Sequence, residues 1–133
     1  MRSTPVLRVA RPTDDLEPLL RFYRDGLGLE VLDHFETHAG FDGVILGLPE
    51  APYHLEFTRR RGYLPGGAPS GDHLLVLYFP DETGWQQTVE RLLRSGLDPV
   101  ASENPYWDMA GWTFEDPDGY RVVLQRGPWP EST

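Results

Sequence analysis

The chain has no cysteine, which removes disulfides, zinc-thiolate sites and cysteine nucleophiles at once. It is short of basic charge: 12 Lys and Arg stand against 21 Asp and Glu, for a net charge of −9. A face able to displace the counterions of a nucleic acid is therefore not expected. No apolar run approaches the roughly 20 residues of a membrane span. Met1-Arg2-Ser3-Thr4 leads directly into a strand-like segment, without the pattern of a signal peptide. These absences point to a cytoplasmic protein with no nucleic-acid and no membrane partner. With 133 residues, 39% of them hydrophobic, there is length and apolar content for one domain, and too little for two of ordinary size. The acidic balance suits a cationic small ligand, and plain solubility explains it as simply.

What the chain does have is an internal repeat. Pro12 and Pro80 are 68 positions apart, as are Gly28 and Gly96, Leu29 and Leu97, Gly43 and Gly111, Pro49 and Pro117, and Leu7 and Leu75. Each pair marks a strand, a strand end, a helix exit or a turn. The first module, about residues 5–61, reads as a strand Val6 to Ala10 and a helix with the apolar stripe Leu16, Leu19, Leu20, Tyr23 and Leu27. Thr13, Asp14 and Asp15 stand ready as caps, and Gly26 and Gly28 end the helix. Strands follow at Glu30 to Glu36, Phe41 to Leu48 and Tyr53 to Arg59. The second module, about 72–126, repeats this order. Its strand is His73 to Phe79, and its helix is Glu82 to Ser95, with Trp85, Val89, Leu92 and Leu93 on one face. Short strands follow at Pro99 to Ala101, Gly111 to Glu115 and Tyr120 to Arg126, the last two joined by the turn Asp116-Pro117-Asp118-Gly119. Four Gly and two Pro between Gly62 and Gly71 mark a linker. Residues 127–133 read as a loose tail. The expected fold class is α+β: two tandem β-α-β-β-β modules forming one curved sheet with a concave cleft suited to a small ligand.

Three motifs in order carry a resemblance: Phe22-Tyr23-Arg24-Asp25-Gly26-Leu27-Gly28 at the first helix exit, Asp72-His73-Leu74 opening the second module, and Asp116-Pro117-Asp118-Gly119-Tyr120 at the last turn. Together with the repeated module they resemble the vicinal-oxygen-chelate superfamily of glyoxalases, ring-cleaving dioxygenases and bleomycin-resistance proteins, over about residues 5–126. In its metal-dependent members the resemblance implies a divalent ion held from the first and last strands of each module. His73 matches one such position and Glu56 another. The first strand offers only Pro5, Val6, Leu7 or Arg8, none of them a metal ligand through its side chain, and Val123 stands where the family would place Glu. The expectation is no cofactor, with a divalent ion at Glu56 and His73 as the alternative.

Strand alternation gives a second, independent reading. Tyr53, Leu55 and Phe57 form the apolar set that faces a helix, leaving His54, Glu56 and Thr58 for the other face. In the last strand Tyr120, Val122 and Leu124 are the apolar set, and Arg121, Val123 and Gln125 the other. The segment Asn104 to Met109 carries Tyr106 and Trp107, which suit either a ligand clamp or a cap on the core. His34 and His38 read as surface residues, and Asp14, Asp15 and Asp25 as helix-end residues. The expected ligand-binding set is thus His54, Glu56, His73, Trp107, Arg121 and Gln125 around one cavity. Glu56 and His73 are the candidate proton-transfer pair if the protein is an enzyme. The leading expectation is sequestration of a small molecule by a homodimer. The alternative is a lyase, isomerase or dioxygenase.

Overall fold

The computed structural model describes residues 4–130. The chain forms two compact units that divide between Gly66 and Gly67. In the first, β1 (Leu7–Pro12) is followed by α1 (Leu16–Leu20), β2 (Glu30–His38), β3 (Phe41–Gly47) and β4 (Tyr53–Arg60). The sheet order is β1-β4-β3-β2, with β1 parallel to β4 and the other neighbours antiparallel. Asp15, in extended conformation, caps α1 by accepting from the Glu17 N–H at 3.2 Å. The helix does not continue as a regular amphipathic α-helix. Arg21–Gly26 is a π-helical turn, in which the Leu27 N–H reaches back to the Phe22 carbonyl at 2.9 Å. The wider turn puts the adjacent rings of Phe22 and Tyr23 both inside, which the simple stripe of the sequence does not anticipate. Tyr23 then meets Phe57 of β4, ring centroids 4.8 Å apart. Leu19, Leu27, Val44, Leu46 and Leu55 complete this core.

The second unit comprises β5 (Leu74–Phe79), α2 (Glu82–Arg94), a 3-10 turn at Pro105–Asp108, β6 (Gly111–Glu115) and β7 (Arg121–Arg126). Its sheet order, β5-β7-β6 with β5 parallel to β7, repeats that of the first unit. The fourth strand expected at Pro99 to Ala101 shrinks to one bridge, Val100 to Thr113, with a 2.8 Å hydrogen bond. Beyond it the Ser102 N–H bonds the Asp108 carboxylate, and the Asn104 side chain caps the 3-10 turn. Local polar bonds thus draw the chain away from the sheet. On α2 the buried stripe is Trp85, Thr88, Val89 and Leu92. Leu93, assigned to that face from sequence, is 37% exposed, because it stands at the edge of the stripe centred on 85, 88, 89 and 92, about a quarter turn from its middle.

The strand pairing refines the repeat. Gly28 and Gly96 both have positive φ, 84° and 89°, at equivalent helix exits. Gly43 opposes Thr58 and Gly111 opposes Gln125, so β4 and β7 correspond at an offset of 67. The β3–β4 turn is one residue longer than the β6–β7 turn. Arg8 opposes His54 and Leu74 opposes Arg121, so in the first strands the offset is 66. Leu7 therefore corresponds to His73, and its match to Leu75 at 68 is a coincidence of sequence.

The half of the glycine-rich linker that belongs to the second unit is packed onto that unit. The Ala68 N–H donates to the Asp118 carbonyl at 2.7 Å, and a Cβ on Gly67 would stand 2.5 Å from that same oxygen. Asp116, 4% exposed, organises the turn: its Oδ1 accepts from the N–H groups of Asp118 and Tyr120 at 2.8 and 3.0 Å. After β7 the Gly127 N–H bonds the Phe79 carbonyl, and the Trp129 ring lies 5.7 Å from that of Tyr78. The segment read as a loose tail is thus tied down at its start, while residues 131–133 lie outside the described residues. Among the described residues no helix is long and apolar enough to cross a membrane.

Candidate functional site

Directly paired residues share a face of a sheet. In the first unit one face carries Leu55 and Phe57 against the helix, and both are buried. The opposite face carries Arg8 beside His54, Ala10 and Ile45 beside Glu56, and Gly43 beside Thr58. On it the Arg8 Nε donates to His54 Nδ1 at 3.1 Å, and Arg8 Nη1 donates to Glu56 Oε1 at 3.4 Å. Arg8 is held here by the parallel register that sets it opposite His54. Residues 54 and 56, two apart on β4, then lie within reach of one guanidinium. The side chain of Glu56 is 18% exposed and that of Arg8 43%. With Nδ1 accepting, the imidazole carries its proton on Nε2. Tyr53 points the other way, and burial raises its phenol pKa, so it stays neutral.

Gly43 leaves space for Phe35, whose ring occupies the place where a Cβ would be. A broad depression of about 580 Å³ lies at the β3–β4 turn, lined by Glu30, Leu48, Pro49, Glu50 and Ala51. His34 and His38 are exposed on β2. Of the helix-end aspartates, Asp25 pairs with Arg24 at 2.9 Å, and that guanidinium holds its carboxyl below the ordinary range.

The corresponding face of the second unit is closed by its own chain. Arg121, in the place of His54, donates through Nε to Glu115 Oε2 at 3.1 Å and through Nη1 to the Ala101 carbonyl at 3.2 Å. Glu103 lies 3.8 Å from the same guanidinium. Val123, in the place of Glu56, is fully buried. Gln125, in the place of Thr58, is buried and donates to the Trp107 carbonyl at 3.1 Å. The Ser102 and Thr113 hydroxyls are 2.6 Å apart. His73 is exposed, with its ring edge-on to Tyr120 at 6.4 Å.

Of the six residues singled out from sequence, His54 and Glu56 are thus joined through Arg8. Gln125 and Trp107 are joined by a hydrogen bond, Arg121 holds the chain at Ala101, and His73 stands on Tyr120. Among the described residues no three His, Asp or Glu side chains group as metal ligands do. Sequence reasoning passed over Arg8 except as a non-ligand. The only signal that could have found it is the β1–β4 register, which single-strand alternation does not contain.

Two adjoining family descriptions match the chain: the YycE-like N-terminal domain over residues 7–58 and the YycE-like C-terminal domain over 72–126. The uncharacterized protein YycE of Bacillus subtilis is 46% identical over 118 residues, 89% of this chain and 85% of its own length. The crystal structure of a YycE protein of unknown function from the same species superposes with a TM-score of 0.80 at 45% identity, covering 90% of this chain and 88% of that one. Two more distant structures speak for the fold alone. The trypanothione-dependent glyoxalase I of Leishmania major has a TM-score of 0.72 at 19% identity, covering 94% of this chain and 88% of its own. The fosfomycin resistance protein FosX of Mesorhizobium loti has a TM-score of 0.69 at 12% identity, covering 97% and 95%. The chain therefore belongs to the YycE-like family, and it shares its fold with glyoxalase and fosfomycin-resistance proteins, as its repeated modules and turn motifs lead one to expect.

Proposed function

We propose that the chain binds a small organic ligand on the polar sheet face of its first unit, at Arg8, His54 and Glu56, without a divalent metal ion. The observation that carries this reading is the Arg8 guanidinium bonded to both His54 and Glu56. A metal at Glu56 would have to displace a cation already seated on that carboxylate. The repeat-equivalent position is the buried Val123, and the His73 ring leans on Tyr120. A donor set this sparse does not fit an ion that ordinarily takes three or more protein ligands. On this reading Arg121, Gln125 and Trp107 hold the 101–110 segment in place. Sequestration requires no nucleophile or oxyanion site, and among the described residues no such group is bonded to the cluster. The protein acts in the cytoplasm, as an isologous homodimer.

The test is made on protein purified without a histidine tag. Metal content is measured by mass spectrometry. Fosfomycin, bleomycin and trypanothione, suggested by the names of proteins sharing the fold, are screened by thermal shift with and without EDTA. The expected result is substoichiometric metal and a stabilising compound indifferent to EDTA. Arg8→Gln should weaken binding of that compound about tenfold, the loss of a hydrogen bond to a charged group, and leave the melting temperature in place. Stoichiometric bound metal refutes the reading, as does an Arg8→Gln variant that melts far lower yet binds normally.

A further inference from the structure

Building on the ligand face just described, we infer that Arg8 is the resident cation of that face and that its ligand presents a carboxylate next to an apolar body. A guanidinium has five N–H donors. Arg8 spends its Nε–H on His54 and one Nη1–H on Glu56. The remaining three, one on Nη1 and two on Nη2, meet no protein acceptor among the described residues. The His54 Nε2–H, left protonated because Nδ1 accepts, has none either. The face therefore offers four unused donors around a single positive charge.

Relative exposure decides which sign of ligand it takes. The Glu56 side chain is the more buried partner and Arg8 the more exposed, so an incoming group meets the cation first. A cationic ligand would approach Glu56 past a guanidinium 3.4 Å from it. A carboxylate completes the fork instead: two parallel N–H···O bonds are the geometry in which arginine binds carboxylates best. The net charge of −9 does not cancel this attraction, since charges beyond about 8 Å are screened at physiological salt. Ala10, exposed beside Glu56 on the same face, supplies contact for an apolar body. Arg8 is the hub of the cluster: His54 accepts from its Nε and Glu56 from its Nη1, so the guanidinium balances the Glu56 carboxylate without any metal.

The experiment uses the full chain labelled with ¹⁵N and two probes of one shape, sodium benzoate and benzamide. Titrations follow the backbone amides of β1 and β4 and the Arg8 Nε–H signal. Benzoate should give saturable shifts there, with benzamide at least about tenfold weaker, the margin of a charge-assisted pair over a neutral one. Arg8→Gln should weaken benzoate by about tenfold or more and leave benzamide unchanged. Arg8→Lys, which keeps the charge and loses the fork, should fall between. The spectra also report whether each variant is folded. No saturable shift from benzoate overturns the inference, whatever else binds. Equal shifts from both probes, unchanged in Arg8→Gln, overturn the ligand class while leaving the ligand face standing. Shifts confined to residues outside β1 and β4 overturn both.

Discussion

Val123→Glu places a carboxylate where metal-dependent relatives of this fold are expected to carry one, and the structure states what that would cost. Val123 is fully buried, between Val76 on β5 and Thr113 on β6. The Thr113 hydroxyl is already paired with Ser102 at 2.6 Å. The cation on the same face of β7, Arg121, is bonded to Glu115 and Ala101. A buried polar group without a partner costs about 1–3 kcal/mol, and more if charged. Forcing the longer side chain into packed space costs about 1–3 kcal/mol again. The loss, about 2–6 kcal/mol, is a large share of a total stability of about 5–15 kcal/mol. Burial also raises the new carboxyl above its unfolded value of about 4.3. The folded state then holds the proton more tightly, so the destabilisation is smallest near pH 4–5 and grows as pH rises towards neutrality. Urea unfolding followed by tryptophan fluorescence at about pH 5 and pH 7.5 measures both terms, and Val123→Gln separates the pH-independent part. A Val123→Glu variant within about 1 kcal/mol of the parent at both pH values would refute the reasoning. So would one stabilised by stoichiometric divalent metal.

Gly111→Ala should cost about 1–3 kcal/mol, because its Cβ would stand 2.6 Å from the Leu124 carbonyl. Gly43→Ala should cost less, since it meets the Phe35 side chain, which can swing aside; urea midpoints of the two variants compare them directly. Asp116→Ala removes the acceptor of two N–H groups at the last turn and should lower stability by about 1.5–3 kcal/mol, again read from the urea midpoint. Static light scattering at about the tens of micromolar where weak obligate dimers persist should give twice the chain mass; a monomer there counts against the proposed homodimer.

Much of the fold was legible because its signals are local. Gly28 and Gly96 announce helix exits, since only glycine adopts their positive φ freely. Asp15 announces a helix start through the N–H group it accepts, and Asp116-Pro117-Asp118-Gly119 spells a tight turn. Departures from the local pattern have physical causes. The π-helical turn brings Phe22 inside. The polar bonds of Ser102 and Asn104 dissolve a short strand. The first and last strands of the two modules correspond at offsets of 66 and 67 rather than 68.

The site divides along the same line. Alternation along β4 was enough to put His54 and Glu56 on one face and Leu55 and Phe57 on the other, because side-chain direction in a strand is a property of the strand alone. It could not show that Arg8 sits between the first two, since that depends on which residue of β1 lies opposite His54. Nor could it show that Arg121, Val123 and Gln125 are covered by their own loop. The superfamily resemblance, the repeat and the turns could be read from the residues alone, because helix exits and tight turns follow from backbone preferences over a few positions. The tertiary structure alone decided which polar side chains share a face with free donors, because that is a matter of strand register and loop packing between residues far apart in the chain.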